Sequence, residues 1–176
     1  MAIQYVSGDL FTNSYGARAL AHGVNCKGSM GPGIAVGFRE RSSSERLGGS
    51  AARYPEMYEE YRRRCTATPR ELNPGDCFLW EAGEQPWVFN LATQEDYWRS
   101  RATYEAVERA LVGMREQAEA EGILTIAMPR IGTGYGGLSW KKLRAMVERV
   151  FDGWQGTLYV YEDYVPAQSV DATMEV

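Results

Sequence analysis

Two glycine-rich segments are the parts of this sequence best suited to chemistry. Residues 25–35 read NCKGSMGPGIA, and residues 129–138 read PRIGTGYGGL. Glycine tolerates positive φ angles and lets backbone N–H groups approach a ligand closely. A helix that begins behind such a loop adds partial positive charge, which favours an anion and most naturally a phosphate. Each segment therefore predicts a phosphate site.

Either segment alone would be explained about equally well by a tight turn between a strand and a helix. Two such segments in one chain favour phosphate binding, and a pyrophosphate held between both loops is the simplest interpretation. The P-loop pattern G-x-x-x-x-G-K-[ST] does not occur in the chain. We therefore expect a pyrophosphate ligand that is gripped from two sides.

The elements around these segments follow an α/β pattern, because short apolar runs alternate with helical periodicity. Strands are predicted at residues 3–6, 20–24, 76–80, 87–91, 124–128 and 157–161. Helices are predicted at 33–41, 55–64, 104 to about 120, and 140–154. Pro55 suits a first helical turn, Ser139 an N-cap and Gly122 a helix end. We expect one domain over residues 1–165, with a polar surface insertion at about 42–52 and a frayed tail at 166–176.

Composition excludes several classes of protein. The chain of 176 residues suits one core, and its net charge of −4 predicts no broad basic face that would follow nucleic-acid phosphates. Three cysteines without C-x-x-C spacing and a single histidine argue against a disulfide framework and a His-based metal site. No signal-peptide pattern and no stretch of ~20 apolar residues is present. We expect a monomeric, cytoplasmic protein with no metal and no cofactor.

Both loops resemble those of the macro domain family. The G-D-L at residues 8–10 is similar to that family's N-terminal G-D-[IL] element, and residues 25–35 and 128–140 are similar to its two diphosphate loops. The patterns G-x-G-I-A at 31–35, P-R-I-G at 129–132 and G-L-x-W at 137–140 look most like two groups. These are the terminal ADP-ribose protein glycohydrolases and the DNA ADP-ribosyl glycohydrolase antitoxins. The resemblance covers residues 3 to about 164. It implies a three-layer α/β/α sandwich with a mixed, mostly parallel sheet, and ADP-ribose as the ligand.

The resemblance also implies roles for individual residues. Asp9 would accept a hydrogen bond from the adenine amino group, and otherwise would cap a turn or helix. Asn25 would contact the distal ribose, and otherwise would be an ordinary turn residue. Tyr161 would lie against the adenine or belong to the core, and Tyr135 would cover the distal ribose. The other expected ligand-binding residues are Leu10, Gly28, Ser29, Met30, Gly31, Gly33, Ile34, Thr93, Ile131, Gly132, Thr133, Gly134 and Gly136.

The catalytic position departs from the resembling glycohydrolases. Their lysine attacks the anomeric carbon of the distal ribose, but the matching residue here is Gln94, whose amide has no basic lone pair. The protein-directed group also carries an aspartate where this chain has Gly136. A water would then have to attack, and Glu95 and Asp96 follow a predicted strand as its candidate bases, unless they form an exposed acidic loop. The catalytic candidates are therefore Asn25, Gln94, Glu95 and Asp96.

His22 and Cys26 have reactive side chains, but the sequence gives little support for a catalytic role of either. His22 lies on a predicted strand, where a lone histidine is more often a core residue than a catalyst. Cys26 is a poor nucleophile, because His22 is the only histidine that would act as its base. We therefore expect neither residue to carry the chemistry.

Two functions stay open at this point. The first is a hydrolase that acts at the distal ribose of ADP-ribosylated protein or nucleic acid, or of ADP-ribose 1″-phosphate. The family also includes 1″-phosphate phosphatases and O-acetyl-ADP-ribose deacetylases, which do not need the lysine. The second is a non-catalytic reader of ADP-ribose, which the missing lysine favours. Both predict that the chain binds ADP-ribose or an ADP-ribosylated macromolecule.

Overall fold

The computed structural model describes residues 2–30, 37–38, 54–96, 101–134 and 136–165. Its strands are β1 (Ala2–Gly8), β2 (Ala19–Asn25), β3 (Cys77–Trp80), β4 (Trp87–Gln94), β5 (Thr125–Pro129) and β6 (Thr157–Tyr164). Its helices are α1 (Pro55–Thr66), α2 (Tyr104–Glu121) and α3 (Trp140–Val150).

The six strands form one mixed sheet in the order β1-β6-β5-β2-β4-β3. The first five strands in this order run parallel, and β3 pairs antiparallel with β4. The carboxyl ends of parallel strands meet at one edge, where ligands of open α/β sheets bind. The loops that follow β2, β4, β5 and β6 therefore open at the same edge.

Buried side chains form two clusters, one on each face of the sheet. Along β2, Ala19 and Ala21 belong to the cluster under α2 and α3, whereas Leu20 and Val24 belong to the cluster under α1. This division follows from the alternation of successive side chains across a strand. Helices cover both faces, so the expected three-layer α/β/α sandwich is confirmed.

The helix ends agree with the sequence prediction except at α3. Helix α1 begins at Pro55, and Gly122 ends α2 in the left-handed conformation with φ 67°. Ser139 holds the N-cap position of α3, but its side chain makes no capping hydrogen bond. Its backbone N–H instead donates a hydrogen bond to the Tyr104 hydroxyl oxygen at 3.1 Å. The predicted end at residue 154 was too late, because α3 ends at Val150.

All six predicted strands are present, and β4 continues three residues further than expected, to Gln94. The extension brings Thr93 and Gln94 into the sheet. Of the predicted helix 33–41, only Gly37 and Phe38 are described, and both are helical. The predicted insertion and the tail at 166–176 lie outside the described residues. Within the described part, no helix has the length and apolarity needed to cross a membrane.

Candidate functional site

A cavity of about 280 Å³ opens at the carboxyl edge of the parallel strands. Four adjacent strands end on it, in the order β6, β5, β2 and β4. Neighbouring strands lie ~4.8 Å apart, so the three spacings give the cavity a length of about 14 Å. The site is therefore elongated across the sheet and suits an extended ligand.

Ten of the residues predicted from the sequence line this cavity. They are Asn25, Ser29, Thr93, Gln94, Ile131, Gly132, Thr133, Gly134, Gly136 and Tyr161. Six further lining residues were not predicted, namely Gly23, Val24, Pro129, Arg130, Glu162 and Tyr164. The predicted Gly31, Gly33, Ile34 and Tyr135 lie outside the described residues.

The second glycine loop crosses the middle of the cavity and has a conformation that needs glycine. Gly132 and Gly137 have φ values of 74° and 72°, and the N–H of Leu138 donates to the Gly132 carbonyl oxygen at 2.9 Å. A Cβ at Gly136 would lie 2.5 Å from that same carbonyl oxygen. An aspartate of the kind that the resemblance suggests at this position would therefore require a different loop conformation.

Asn25 organises the first glycine loop at the end of β2. Its Oδ1 accepts from the N–H groups of Lys27 at 3.0 Å and Ser29 at 3.4 Å, while its Nδ2 donates to the Ser29 carbonyl at 2.7 Å. The Tyr61 hydroxyl lies 2.7 Å from the Asn25 carbonyl oxygen and 3.0 Å from Oδ1. The side chain therefore holds the loop closed, and one N–H of its amide is left for a ligand.

Three residues expected at the ligand are buried against the elements that support the site. Leu10 and Met30 are fully buried in the cluster under α1. Gly28 has φ 82° and is buried against Arg62 and Cys65 of α1. None of the three lines the cavity, so any contact with a ligand stays a prediction.

Gln94 lies beside Asn25 at the end of β4. The register between β2 and β4 shifts by one residue after Val24, so Asn25 faces Gln94 and Thr93 has no partner on β2. Gln94 is 8% exposed and lines the cavity. Within the described residues, no hydrogen bond reaches its amide. The amide atoms are not among the buried polar atoms that lack a partner, so they are open to the cavity, where a polar ligand would take the place of water.

The two candidate bases, Glu95 and Asp96, are absent from the cavity lining. The Glu95 carboxylate accepts two hydrogen bonds from the Arg70 guanidinium and lies 3.4 Å from Lys27 Nζ. Hydrogen bonding to Arg70 lowers the pKa of Glu95. Asp96 is 5% exposed at the strand end. The pairing of Glu95 argues against it as a base, and catalysis by either carboxylate stays a prediction.

Asp9 and Tyr161 lie at the β1–β6 end of the site. Asp9 Oδ1 accepts from the N–H of Phe11 at 2.9 Å and from the Tyr164 hydroxyl at 3.4 Å. Tyr164 lines the cavity, whereas Asp9 does not. Tyr161 is only 2% exposed and packs edge-on against Tyr15, so it belongs to the core and also reaches the cavity. Its hydroxyl is buried without a hydrogen-bond partner among the described residues.

Glu162 lines the cavity but was not predicted from the sequence, and it is the most important of the six unpredicted lining residues. It directly follows Tyr161 in β6, yet its position depends on a register shift between β1 and β6. Such a shift is a property of two paired strands and leaves no pattern in either one alone. A carboxylate at the end of a predicted strand was the one signal available.

Neither His22 nor Cys26 lines the cavity. His22 is fully buried, with its Nε2 2.6 Å from Asn90 Oδ1 and its ring stacked on Phe38. Burial lowers the pKa of His22 to about 4. Burial likewise raises the pKa of the Cys26 thiol to about 12, which makes a thiolate nucleophile unfavourable. Among the described residues, no cluster of metal-ligating side chains occurs.

A sequence profile of the Macro domain family matches residues 21–147 of the chain. The chain is 29% identical over 152 residues to a DNA ADP-ribosyl glycohydrolase of Mycobacterium tuberculosis, which covers 85% of this chain and 38% of that protein. The chain thus spans well under half the length of this relative. It is 28% identical over 170 residues to an ADP-ribose 1″-phosphate phosphatase of Candida albicans, which covers 90% of this chain and 99% of that protein.

A solved structure has the same fold. The macrodomain of Mycobacterium tuberculosis DarG superimposes with a TM-score of 0.75 at 26% identity, covering 92% of this chain and 98% of that chain. The matched residues 21–147 contain the carboxyl ends of β2, β4 and β5. The similarity therefore includes both glycine loops and three of the four strand ends at the cavity.

Proposed function

Because the chain belongs to the macro domain family, we propose that its cavity binds ADP-ribose and that the protein hydrolyses an ADP-ribose derivative at the distal ribose. One observation carries this proposal. A single elongated cavity spans four parallel strand ends and is crossed in its middle by a loop that needs glycine. An adenosine, a pyrophosphate and a second ribose in series match such a site.

The ligand would lie across the sheet with its adenine at one end of the cavity and its distal ribose at the other. The adenine would occupy the β1–β6 end beside Asp9 and Tyr161, in keeping with the family resemblance. The pyrophosphate would lie over the loop after β5, whose backbone N–H groups and helix α3 behind them favour an anion. The distal ribose would reach the end of β2 and β4, beside Asn25 and Gln94.

Hydrolysis at that end would use water. Gln94 is not a nucleophile, so no covalent enzyme intermediate is expected. Glu95 would have to leave Arg70 before it accepted a proton, and Asp96 also takes part in an interaction within the fold, so the two carboxylates stay equal candidates for the base. The substrate would be ADP-ribosylated nucleic acid or protein, or ADP-ribose 1″-phosphate.

A non-catalytic reader is the second candidate, and the composition of the cavity favours it. Among the described lining residues there is no lysine, cysteine or histidine. Binding would then be the whole function, and the partner would be an ADP-ribosylated macromolecule. In either case we propose one domain over residues 1–165 that acts as a monomer in the cytoplasm, without a broad nucleic-acid-binding face.

Calorimetry with ADP-ribose tests the binding proposal. Gly134 lines the cavity, and a Cβ there meets no atom within 4 Å. We expect Gly134→Phe to fill the site and abolish the heat of binding at ligand concentrations that saturate the wild type. Gly134→Ala is the matched control, and it should bind normally. No binding by the wild type at millimolar ADP-ribose would refute the proposal.

Product analysis separates the hydrolase from the reader. The wild type, Glu95→Gln and Asp96→Asn would be incubated with ADP-ribosylated DNA, ADP-ribosylated protein and ADP-ribose 1″-phosphate. Release of ADP-ribose by the wild type supports the hydrolase, and loss of release in Glu95→Gln or in Asp96→Asn shows which carboxylate is the base. Binding without any product would leave the reader as the function.

A further inference from the structure

Glu162 is a carboxylate that the strand register brings to the cavity. Tyr161 pairs with Val6 and Asp163 pairs with Ser7, so Glu162 is the extra residue of a bulge and has no partner on β1. The pairing of β6 with β5 ends at Tyr161, so Glu162 has no partner there either. Bulges re-aim side chains and are enriched beside binding sites.

Helix α3 holds this carboxylate from one side. The Trp140 indole N–H donates to Glu162 Oε1 at 3.0 Å, and the Arg144 guanidinium donates to the same oxygen at 2.8 Å. Within the described residues, no hydrogen bond reaches Oε2. The side chain is 29% exposed and Glu162 lines the cavity. One oxygen is therefore fixed by the protein, and the other is left to accept a donor.

The position of Glu162 along the cavity identifies the donor. It precedes Tyr164, which contacts Asp9, along β6, and β6 lies next to β5, whose following glycine loop also lines the cavity. In a ligand bound as proposed above, on which this inference rests, the group between adenine and pyrophosphate is the adenosine ribose. We propose that Glu162 accepts a hydrogen bond from the hydroxyls of that ribose and thereby rejects ligands that carry a phosphate there.

The chemistry of a carboxylate supports both halves of this proposal. Ionised carboxylates only accept hydrogen bonds, and a ribose hydroxyl is a suitable donor. A phosphate in place of the hydroxyl removes the donor and adds negative charge next to Glu162, which is unfavourable in a partly desolvated site. Arg144 is already paired and does not line the cavity, so Arg130 on the glycine loop is the only cation that lines it among the described residues.

Calorimetry with three ligands tests the proposal. They are ADP-ribose, ADP-ribose with a phosphate on the adenosine 2′-hydroxyl, and ADP-ribose lacking that hydroxyl. We expect the wild type to bind the phosphorylated ligand about 100-fold more weakly and the deoxy ligand about tenfold more weakly than ADP-ribose. Glu162→Gln should bind the phosphorylated ligand at least about tenfold more tightly than the wild type does, because the repulsion is gone and Arg144 is released.

Glu148→Gln is the matched control. Glu148 also pairs with Arg144, at 3.4 Å, but does not line the cavity. Glu148→Gln should keep the wild-type preference for ADP-ribose over its 2′-phosphate. Glu162→Ala gives a second test, because the amide that Glu162→Gln introduces is itself able to bond to the ribose. Equal binding of ADP-ribose and its 2′-phosphate by the wild type would overturn the inference, and would indicate that Arg130 receives the phosphate. Failure of the wild type to bind any of the three ligands would instead refute the proposed function.

Discussion

At the level of single residues, we propose that Gln94 recognises the distal ribose rather than attacks it. It occupies the position where the resembling glycohydrolases carry a lysine, and the residue is 8% exposed and lines the cavity. Its amide makes no hydrogen bond among the described residues and is open to the cavity, so it is available to bond to a ligand.

Gln94→Leu tests this role, because leucine is similar in size and cannot form hydrogen bonds. We expect ADP-ribose to bind about tenfold more weakly and ADP, which lacks the distal ribose, to bind as it does to the wild type. The free energy of unfolding should change little, since the amide makes no hydrogen bond among the described residues. Equal weakening of both ligands in calorimetry would show that Gln94 supports the fold of the site instead.

At the level of elements, helix α1 fixes the first glycine loop through one hydroxyl. Tyr61 is fully buried and bonds to the backbone and side chain of Asn25, where β2 ends and the loop begins. The loop conformation therefore depends on a helix more than thirty residues away in sequence. Helix α1 belongs to the binding site although it does not line the cavity.

Tyr61→Phe removes this link. We expect the free energy of unfolding to fall by about 1 kcal/mol and ADP-ribose affinity to fall severalfold, because the loop loses its anchor. Tyr54→Phe is the control, since its hydroxyl donates to the Pro86 carbonyl at 2.8 Å and makes no hydrogen bond to the described residues of the loop. The control should lose similar stability in denaturant titrations but keep its affinity. An unchanged affinity in Tyr61→Phe would contradict the anchoring role.

The sequence predicted the strands and most helix limits because each depends on local periodicity or a terminal residue. Pro55 begins α1 and Gly122 ends α2 through their own backbone preferences, which need no knowledge of the rest of the chain. The register shifts that leave Thr93 and Glu162 without a strand partner depend on how two distant strands pair. The sequence therefore predicted the fold and the positions of the loops, and missed Glu162 in the cavity lining.

At the level of the whole molecule, the cavity lies at the carboxyl edge of the sheet, and a buried polar pair lies in its centre. His22 on β2 and Asn90 on β4 face each other between the sheet and the layer that contains Phe38. The Asn90 amide donates to the Phe78 carbonyl at 3.1 Å, which leaves its Oδ1 to accept from His22 Nε2. His22 Nδ1 then carries no proton and has no partner among the described residues.

This arrangement predicts a loss of stability in mild acid. Burial lowers the pKa of His22 from 6.5 to about 4, and no charged side chain contributes to the shift. Between these pH values the unfolded chain binds a proton that the folded chain refuses. The free energy of unfolding is therefore at its full value above pH ~6.5 and falls as the pH drops toward ~4, by about 3 kcal/mol in total.

The single histidine makes this prediction simple to check, because only one imidazole appears in a proton NMR titration. The His22 resonances of the folded protein should titrate near pH 4, and denaturant midpoints should fall over the range above. His22→Gln keeps a donor toward Asn90 without a titrating group, so its stability should depend less on pH in that window. An imidazole that titrates near 6.5 in the folded protein would mean that water reaches this layer, and the packing of Phe38 over the sheet would then be looser than described.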